Sequence, residues 1–378
     1  MGLTAHVFGL QKGLMRTICS MVFAVIAAFA QQDSNALLFQ TFAKDVSGWT
    51  ATGDGAEVHT TSDAARARPG HSSLEFSYDL APRNFSGAVL GAPESFAHMQ
   101  SLRFWARSDH NTAVGVLLTE KKPGGGNYAA WFSAPANTWQ SIELTPADFT
   151  VTDGPNDPVD ADGKLDLDQV EGIAVFDLAQ FFSQWAATAR ISLRIAAASG
   201  RHSLLLDSFE LSGSAAPRPA APPGIVPIDL PGRDFLQWVT PGGMDLKPGA
   251  AGGPLGRGAL QATYPQTDGR LEVLVRRVAN PQLAQAKRLV FDVASERECT
   301  LIVAIEMTQP GGGQGPRFTM PVYPPGGREV FHVDLKLEDF QGTGHFDPAR
   351  WRTLAILDTS GGAGEMNTLW IGNVQAAN

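Results

Sequence analysis

The sequence predicts an all-β chain of two tandem antiparallel β-sandwiches, on three observations. One unit occurs twice, apolar residues alternate with a period of two inside each copy, and a proline-rich stretch divides the copies. The repeat is plainest where "SLRFWARSDHNTAVGVLLTEKKPGGGNYAAW" meets "RLVFDVASERECTLIVAIEMTQPGGGQGPRF". Laid together without a gap, 187 residues apart, they set Leu102 on Leu289, Phe104 on Phe291, Pro123 on Pro310 and Trp131 on Phe318. The flanks follow: Trp49 matches Trp238, Leu74 matches Leu260, Tyr78 matches Tyr264, Phe149 matches Phe340 and Asp177 matches Asp358.

Within each copy the strands read directly. "SLEFSYDL" alternates Leu74, Phe76, Tyr78 and Leu80 with Ser73, Glu75, Ser77 and Asp79, and "LRFWAR" alternates Leu102, Phe104 and Ala106 with Arg103, Trp105 and Arg107. "AVGVLLTE", "NYAAWFSA", "WQSIELT", "GIAVFDL", "RISLRIAAA" and "SLLLDSFEL" follow, broken by Gly, Pro and Asn turns; "PESFAHMQS" and "LAQFFSQWA" read as short helices. Many short strands with one apolar face close most simply as two sheets packed face to face. The glycine run of each PGGG turn lacks the Lys-Ser/Thr pair and helix start that a phosphate cradle needs.

The first thirty residues stand apart. Lys12 and Arg16 precede an apolar run ending in Ala28-Phe29-Ala30, the pattern of a cleaved secretory signal, and the run falls short of the roughly 20 residues that span a bilayer. Met15 offers a second start for the same signal. Between the copies, "SGSAAPRPAAPPGIVPIDLPG" denies the backbone its donors and reads as a stiff linker. The expected organisation is therefore signal 1–30, first domain 31–213, linker 214–232 and second domain 233–378.

Cleavage would remove two cations and no acid, taking the formal charge from −9 to −11, and no basic stripe interleaved with aromatics occurs. Nucleic acid is thus excluded as a partner. Cleavage also removes Cys19 and leaves Cys299, so an intrachain disulfide is excluded, and Cys299 reads as a packing residue of a strand.

Taken in order, "GHSSLEFSYDL", "SLRFWARSD", "NTWQSIELTPADF", "LDLDQVEGIAVF" and "HSLLLDSFELSG" resemble the galactose-binding-like jelly rolls, in particular family 11-type carbohydrate-binding modules. "REVFHVDLKLEDF", "FDPARWRTLAIL" and "NTLWIGNV" repeat the resemblance in the second copy. It implies jelly-roll topology and a glycan or polysaccharide as partner. It also implies a calcium ion between the start of the domain and the last strand, where Asp207 stands opposite Gln40 and Ala43. Complex I intermediate-associated proteins share the fold, but a secretory signal argues against an assembly role inside a cell.

Sugars need flat apolar faces to stack on and planar donors for their hydroxyls. Trp105 meets both needs, since alternation puts it opposite Leu102 and Phe104 and beside Arg103 and Arg107; Tyr128 would extend the platform. The competing reading is an indole covered by a loop. Trp49, Trp238, Trp131 and Phe318 read as core, Trp139 as structural, and Trp351 and Trp370 lack aromatic counterparts in the first copy. Between Phe149 and Asp177 the first copy carries ten more residues than the second, including "DGPNDPVDADGKLDLD". Asp160, Asp162 and Asp166 there, with Gly163 for the turn, fit part of a calcium loop, with Pro158 and Gln169 departing from its pattern, or a solvated acidic loop. No catalytic motif stands out: the histidines are scattered and no carboxylate pair is singled out. The expected function is a secreted, non-catalytic glycan-binding protein; an extracellular structural or adhesion protein and a jelly-roll lyase or hydrolase are the alternatives.

Overall fold

The computed structural model describes residues 35–378 apart from 81–84, 122, 153–156, 161, 184–198, 218–219, 230–236, 242, 279 and 310–314. The signal expected at 1–30, the strand "RISLRIAAA" and the second PGGG run lie outside the described residues. From Leu37 to Asn378 the chain forms one compact unit holding both copies.

In the first copy the strands are β1 (Ala36–Gln40), β2 (Thr50–Thr52), β3 (Glu57–Thr61), β4 (Ser73–Leu80), β5 (Gly87–Gly91) and β6 (Ser101–Ser108). They continue with β7 (Thr112–Glu120), β8 (Asn127–Ala134), β9 (Gln140–Leu144), β10 (Thr150–Val151), β11 (Val170–Asp177) and β12 (Gly200–Ser212). The second copy has β13 (Ile225–Pro227), β14 (Asp245–Pro248), β15 (Leu260–Thr267), β16 (Glu272–Arg277), β17 (Arg288–Ser295) and β18 (Leu301–Met307). It closes with β19 (Arg317–Val322), β20 (Phe331–Lys336), β21 (Gln341–Gly342), β22 (Trp351–Asp358) and β23 (Ala363–Ala377). "PESFAHMQS" condenses to a 3-10 turn at Glu94–His98, and "LAQFFSQWA" begins as a helical turn over 179–183.

Each copy makes two antiparallel sheets from its own strands. In the first, sheet I runs β3-β4-β12-β6-β9 and sheet II runs β10-β8-β7-β11-β5-β2; in the second, sheet III runs β16-β22-β18-β19-β21 and sheet IV runs β14-β15-β23-β17-β20. The inward residues of sheets I and II, with Phe76, Phe104, Phe132 and Phe209 among them, fill one apolar core. Trp49 stands edge-on to Phe209 at 5.1 Å and donates to Gln40 Oε1 at 2.8 Å, so the indole is buried without orphaning its N–H. Trp238, Phe291, Leu301 and Trp351 belong to the core between III and IV. Cys299 is buried there as expected, and burial pushes its thiol up to about 12.

Two details are written in residue parity. Leu204 and Leu206 point inward, and so do Phe209 and Leu211, an odd step that a strand can take only through a bulge. The register of β12 against β6 shifts between Asp207 and Glu210, with Ser208 at φ 51°; Asn373 at φ 54° makes the matching bulge in β23. The repeated Tyr and Asp also find their reason. Tyr78 on sheet I donates to Asp177 Oδ2 on sheet II at 2.7 Å, and Tyr264 donates to Asp358 Oδ2 at 2.7 Å, so each sandwich is tied across its core by the same buried bond.

Two expectations are corrected. The linker ends before residue 225: Ile225–Pro227 pairs with β23, and Val226 and Ile228 are buried in the second core. Pro227 is tolerated because β13 lies outside the main path of sheet IV, where one missing donor costs little. Beyond the PGGG turn, moreover, the gapless match fails. Thr119 pairs with Asn127, whereas Glu306 pairs with Arg317, so the second hairpin loop is three residues longer. Phe318 therefore corresponds to Tyr128 rather than to Trp131, and both point into a core.

Trp131 instead lies on the outward face of sheet II, where the copies meet. Ala113, Phe176, Leu178 and Phe182 of the first sandwich form an apolar cluster with Val239, Val273 and Val275 of the second, and Trp131, Ala355 and Leu357 pack against it. Around it Ser133 donates to Trp238 O at 2.7 Å, Gln237 to Asp148 at 3.0 Å and Arg277 to Val151 O at 2.8 Å. Arg277 lies over Trp131 at 4.8 Å, and burial lowers its guanidinium pKa to about 10. The layers thus follow the order I, II, III, IV.

Candidate functional site

With the outward faces of sheets II and III packed on each other, the outward side of sheet I is the broad face of the first sandwich that reaches solvent. Alternation along β6 puts Arg103, Trp105 and Arg107 there, as expected, and register places Trp105 beside Asp207 of β12. Trp105 is half-buried. The loop over residues 62–71 crosses it, and Arg68 lies over the indole with its guanidinium carbon 4.0 Å from the ring centre.

The same loop answers the face's buried acids. Asp207, fully buried, is paired with Arg68 at 3.0 Å and His71 at 3.2 Å. Glu75, 1% exposed, is held by Arg66 and by His59 at 3.2 Å. Arg107 donates to Ala65 O at 2.7 Å and Asn137 Oδ1 at 3.1 Å, and Arg103 reaches Glu143 at 3.1 Å and Glu210 at 3.7 Å. The face is an indole within a lattice of guanidiniums and carboxylates, which combines a stacking surface with bidentate polar groups. Arg68 occupies the stacking position, so a ligand has to displace it.

Tyr128 does not extend this platform. It sits on sheet II, points into the core, and donates to Asp160 Oδ2. Burial, then Asp160, raises its pKa far above the usual phenol range. With buried Glu120, which accepts from Gly126 N at 2.8 Å and Asp166 N at 2.6 Å, it staples the inserted loop to the β7–β8 turn. Asp160 accepts from Asp162 N and Asp162 from Lys164 N, the turns that short acidic side chains make with their own backbone. Asp207 lies apart from them; its oxygens are taken by Arg68, His71 and Ser208, and Gln40 opposite is bonded to Trp49. In this structure its charge is answered by Arg68 and His71.

A second cluster was not visible as a unit in the sequence. Asp109 and His110 follow β6, and β12 brings His202 beside them. Among the described residues, these three form the group whose donor atoms converge closely enough to coordinate a metal ion. His110 Nδ1 is 2.7 Å and His202 Nδ1 is 3.2 Å from Asp109 Oδ1, and the imidazole centres are 4.0 Å apart. His110 Nε2 lies 3.0 Å from Asp177 Oδ2. Asp177 also accepts from Thr112 at 2.5 Å and Ala179 N at 2.8 Å. Burial disfavours charge on His110, yet Asp109 and Asp177 outweigh it and push the imidazole up to about 9. Burial likewise opposes ionisation of Asp177, but His110, Thr112 and Ala179 N hold its carboxyl below the usual range.

Residues 32–188 match the sequence model of a carbohydrate binding domain (family 11). No curated protein matches the chain. Among solved structures, the chain is similar to the family 11 carbohydrate-binding module from Clostridium thermocellum in complex with a β-1,3-1,4-mixed-linked tetrasaccharide. That likeness has 19% identity, 48% of this chain, 95% of that chain and a TM-score of 0.35. It is also similar to the CBM22-1-CBM22-2 tandem domain of Xyn10C from Paenibacillus barcinonensis, at 12% identity, 92% of this chain, 99% of that chain and a TM-score of 0.32. The first sandwich is thus similar to family 11 carbohydrate-binding domains over residues 32–188. Among the described residues no helix is long and apolar enough to cross a membrane.

Proposed function

We propose that the chain is a secreted polysaccharide-binding protein whose first sandwich takes its ligand on the outward face of sheet I, around Trp105. The observation that carries this reading is the indole on a solvent-reaching sheet face among Arg103, Arg107 and Arg68. The family match over residues 32–188 supports the ligand class. Binding would exchange the Arg68–indole contact for stacking on a pyranose ring, with Arg68 keeping its pair to Asp207, while the other guanidiniums turn to hydroxyls or uronate carboxylates. Secretion rests on the signal pattern of residues 1–30.

Trp105→Ala is expected to abolish retention in affinity electrophoresis on soluble polysaccharides while costing about 1 kcal/mol of stability, the scale of the lost cation–π contact. A variant that binds like wild type, or that melts far earlier, removes the site. Calcium at Asp160, Asp162 and Asp166 belongs to the same proposal, on its oxygen donors and on Gly163, which supplies the turn at φ 65°. It requires the loop to close, because among the described residues these carboxylates do not converge to coordinating distance. Chelator should then lower the melting temperature, and calcium restore it; a melt indifferent to both removes the ion.

A further inference from the structure

We infer that Asp109, His110 and His202 bind a divalent transition-metal ion of the zinc or nickel class. Their donor atoms lie within 4.8 Å of one another, and both Nδ1 atoms face the same oxygen, Asp109 Oδ1, at 2.7 and 3.2 Å. Adjacent donors on a tetrahedral zinc ion stand about 3.3 Å apart, given metal–ligand bonds near 2.0–2.1 Å. The set needs little rearrangement to close on an ion. Two imidazoles and one carboxylate also suit zinc or nickel, whereas calcium seeks oxygen throughout.

The far nitrogens support the same assignment. His110 Nε2 faces the Asp177 carboxylate at 3.0 Å and His202 Nε2 faces Ser199 O at 3.4 Å, groups that can only accept. An ion entering between the Nδ1 atoms and Asp109 would displace the Nδ1 proton, and these acceptors would then hold the remaining proton on the far nitrogen, as carboxylates behind metal-bound histidines do. Asp109 is the most exposed of the three and gives the ion a path from solvent, and Ser108 Oγ, 3.3 Å from His110 Nδ1, is available as a neutral fourth donor.

The second sandwich shows that these histidines are not needed to hold the fold. It keeps the Tyr264–Asp358 bond, yet where His202 pairs with Tyr78 it has Asn367 paired with Tyr264, and Glu296 and Arg297 replace Asp109 and His110. Asn367 donates to Tyr264 and Ser295 and completes the bonding with no histidine. Two histidines on one carboxylate are therefore an addition to the first copy.

The test is calorimetric titration of the chelator-treated full chain with zinc, then with nickel. Wild type should bind one equivalent saturably and melt higher with metal. His202→Asn, which installs the residue the second sandwich carries, should remain folded and bind at least 100-fold more weakly; Asp109→Asn should lose about 10-fold or more, the scale of losses even for outer-shell partners. No saturable zinc binding by wild type, wild-type affinity in His202→Asn, or displacement of zinc by millimolar calcium would each overturn the site.

Discussion

Val275→Asp is expected to split thermal unfolding into two transitions where wild type shows one. Val275 is 6% exposed, on the outward face of sheet III within the cluster that joins the sandwiches. A carboxylate there is buried among apolar side chains, and Arg277 on the same strand face is already bonded to Thr150 and Val151 O. The charge is thus poorly compensated, and breaking or mispairing a buried charge costs about 3–5 kcal/mol. The cost falls on the contact between copies rather than on either core, because the residues filling I–II and III–IV are separate sets. Each sandwich should keep its sheets and melt alone, as calorimetry would record. A single unshifted transition would show that the cluster does not couple them, and a chain that fails to fold would show that neither sandwich stands by itself.

The second large effect is expected from the bond that crosses each core. Asp177→Ala removes the acceptor of Tyr78, Thr112 and Ala179 N and leaves His110 with one carboxylate instead of two; breaking such a buried charged pair costs about 3–5 kcal/mol. Asp358→Ala does the same to Tyr264, Gln266 and Ser360 N in the second sandwich. Hydrogen exchange should place the first loss in β4 and β11 and the second in β15 and β22. Either variant within about 1 kcal/mol of wild type, the net worth of an ordinary hydrogen bond, would make the tie incidental.

The repeat and the period-two alternation carried most of the fold, because they report residues that share one core. Trp105 was placed on its outward face from Leu102 and Phe104 alone. The joint between the copies was harder, although a sign of it was present. β7 holds Ala113, Gly115 and Leu117 on one side and Val114, Val116 and Leu118 on the other, and β16 reads Val273-Leu274-Val275, so alternation is lost where both faces are covered. The same loss of contrast in "NYAAWFSA" obscured which way Tyr128 points. The role of the loop over 62–71 is not legible in the sequence, because its arginines meet Asp207 and Glu75 only across sheet I. Asp109 and His110 were similarly separated from His202 by more than ninety residues, and strand pairing alone unites them.

The layer order has a consequence for how the protein meets a polymer. Sheets II and III are joined back to back, so the outward faces of I and IV look in opposite directions and cannot lie along one straight chain. A glycan held on each face would belong to two different strands of polymer, and the molecule would act as a rivet between them. Were the second sandwich to bind glycan on sheet IV, it would bring no tighter grip on a short oligosaccharide, since one short ligand cannot reach both faces; its effect would appear as gelation or bundling of long chains.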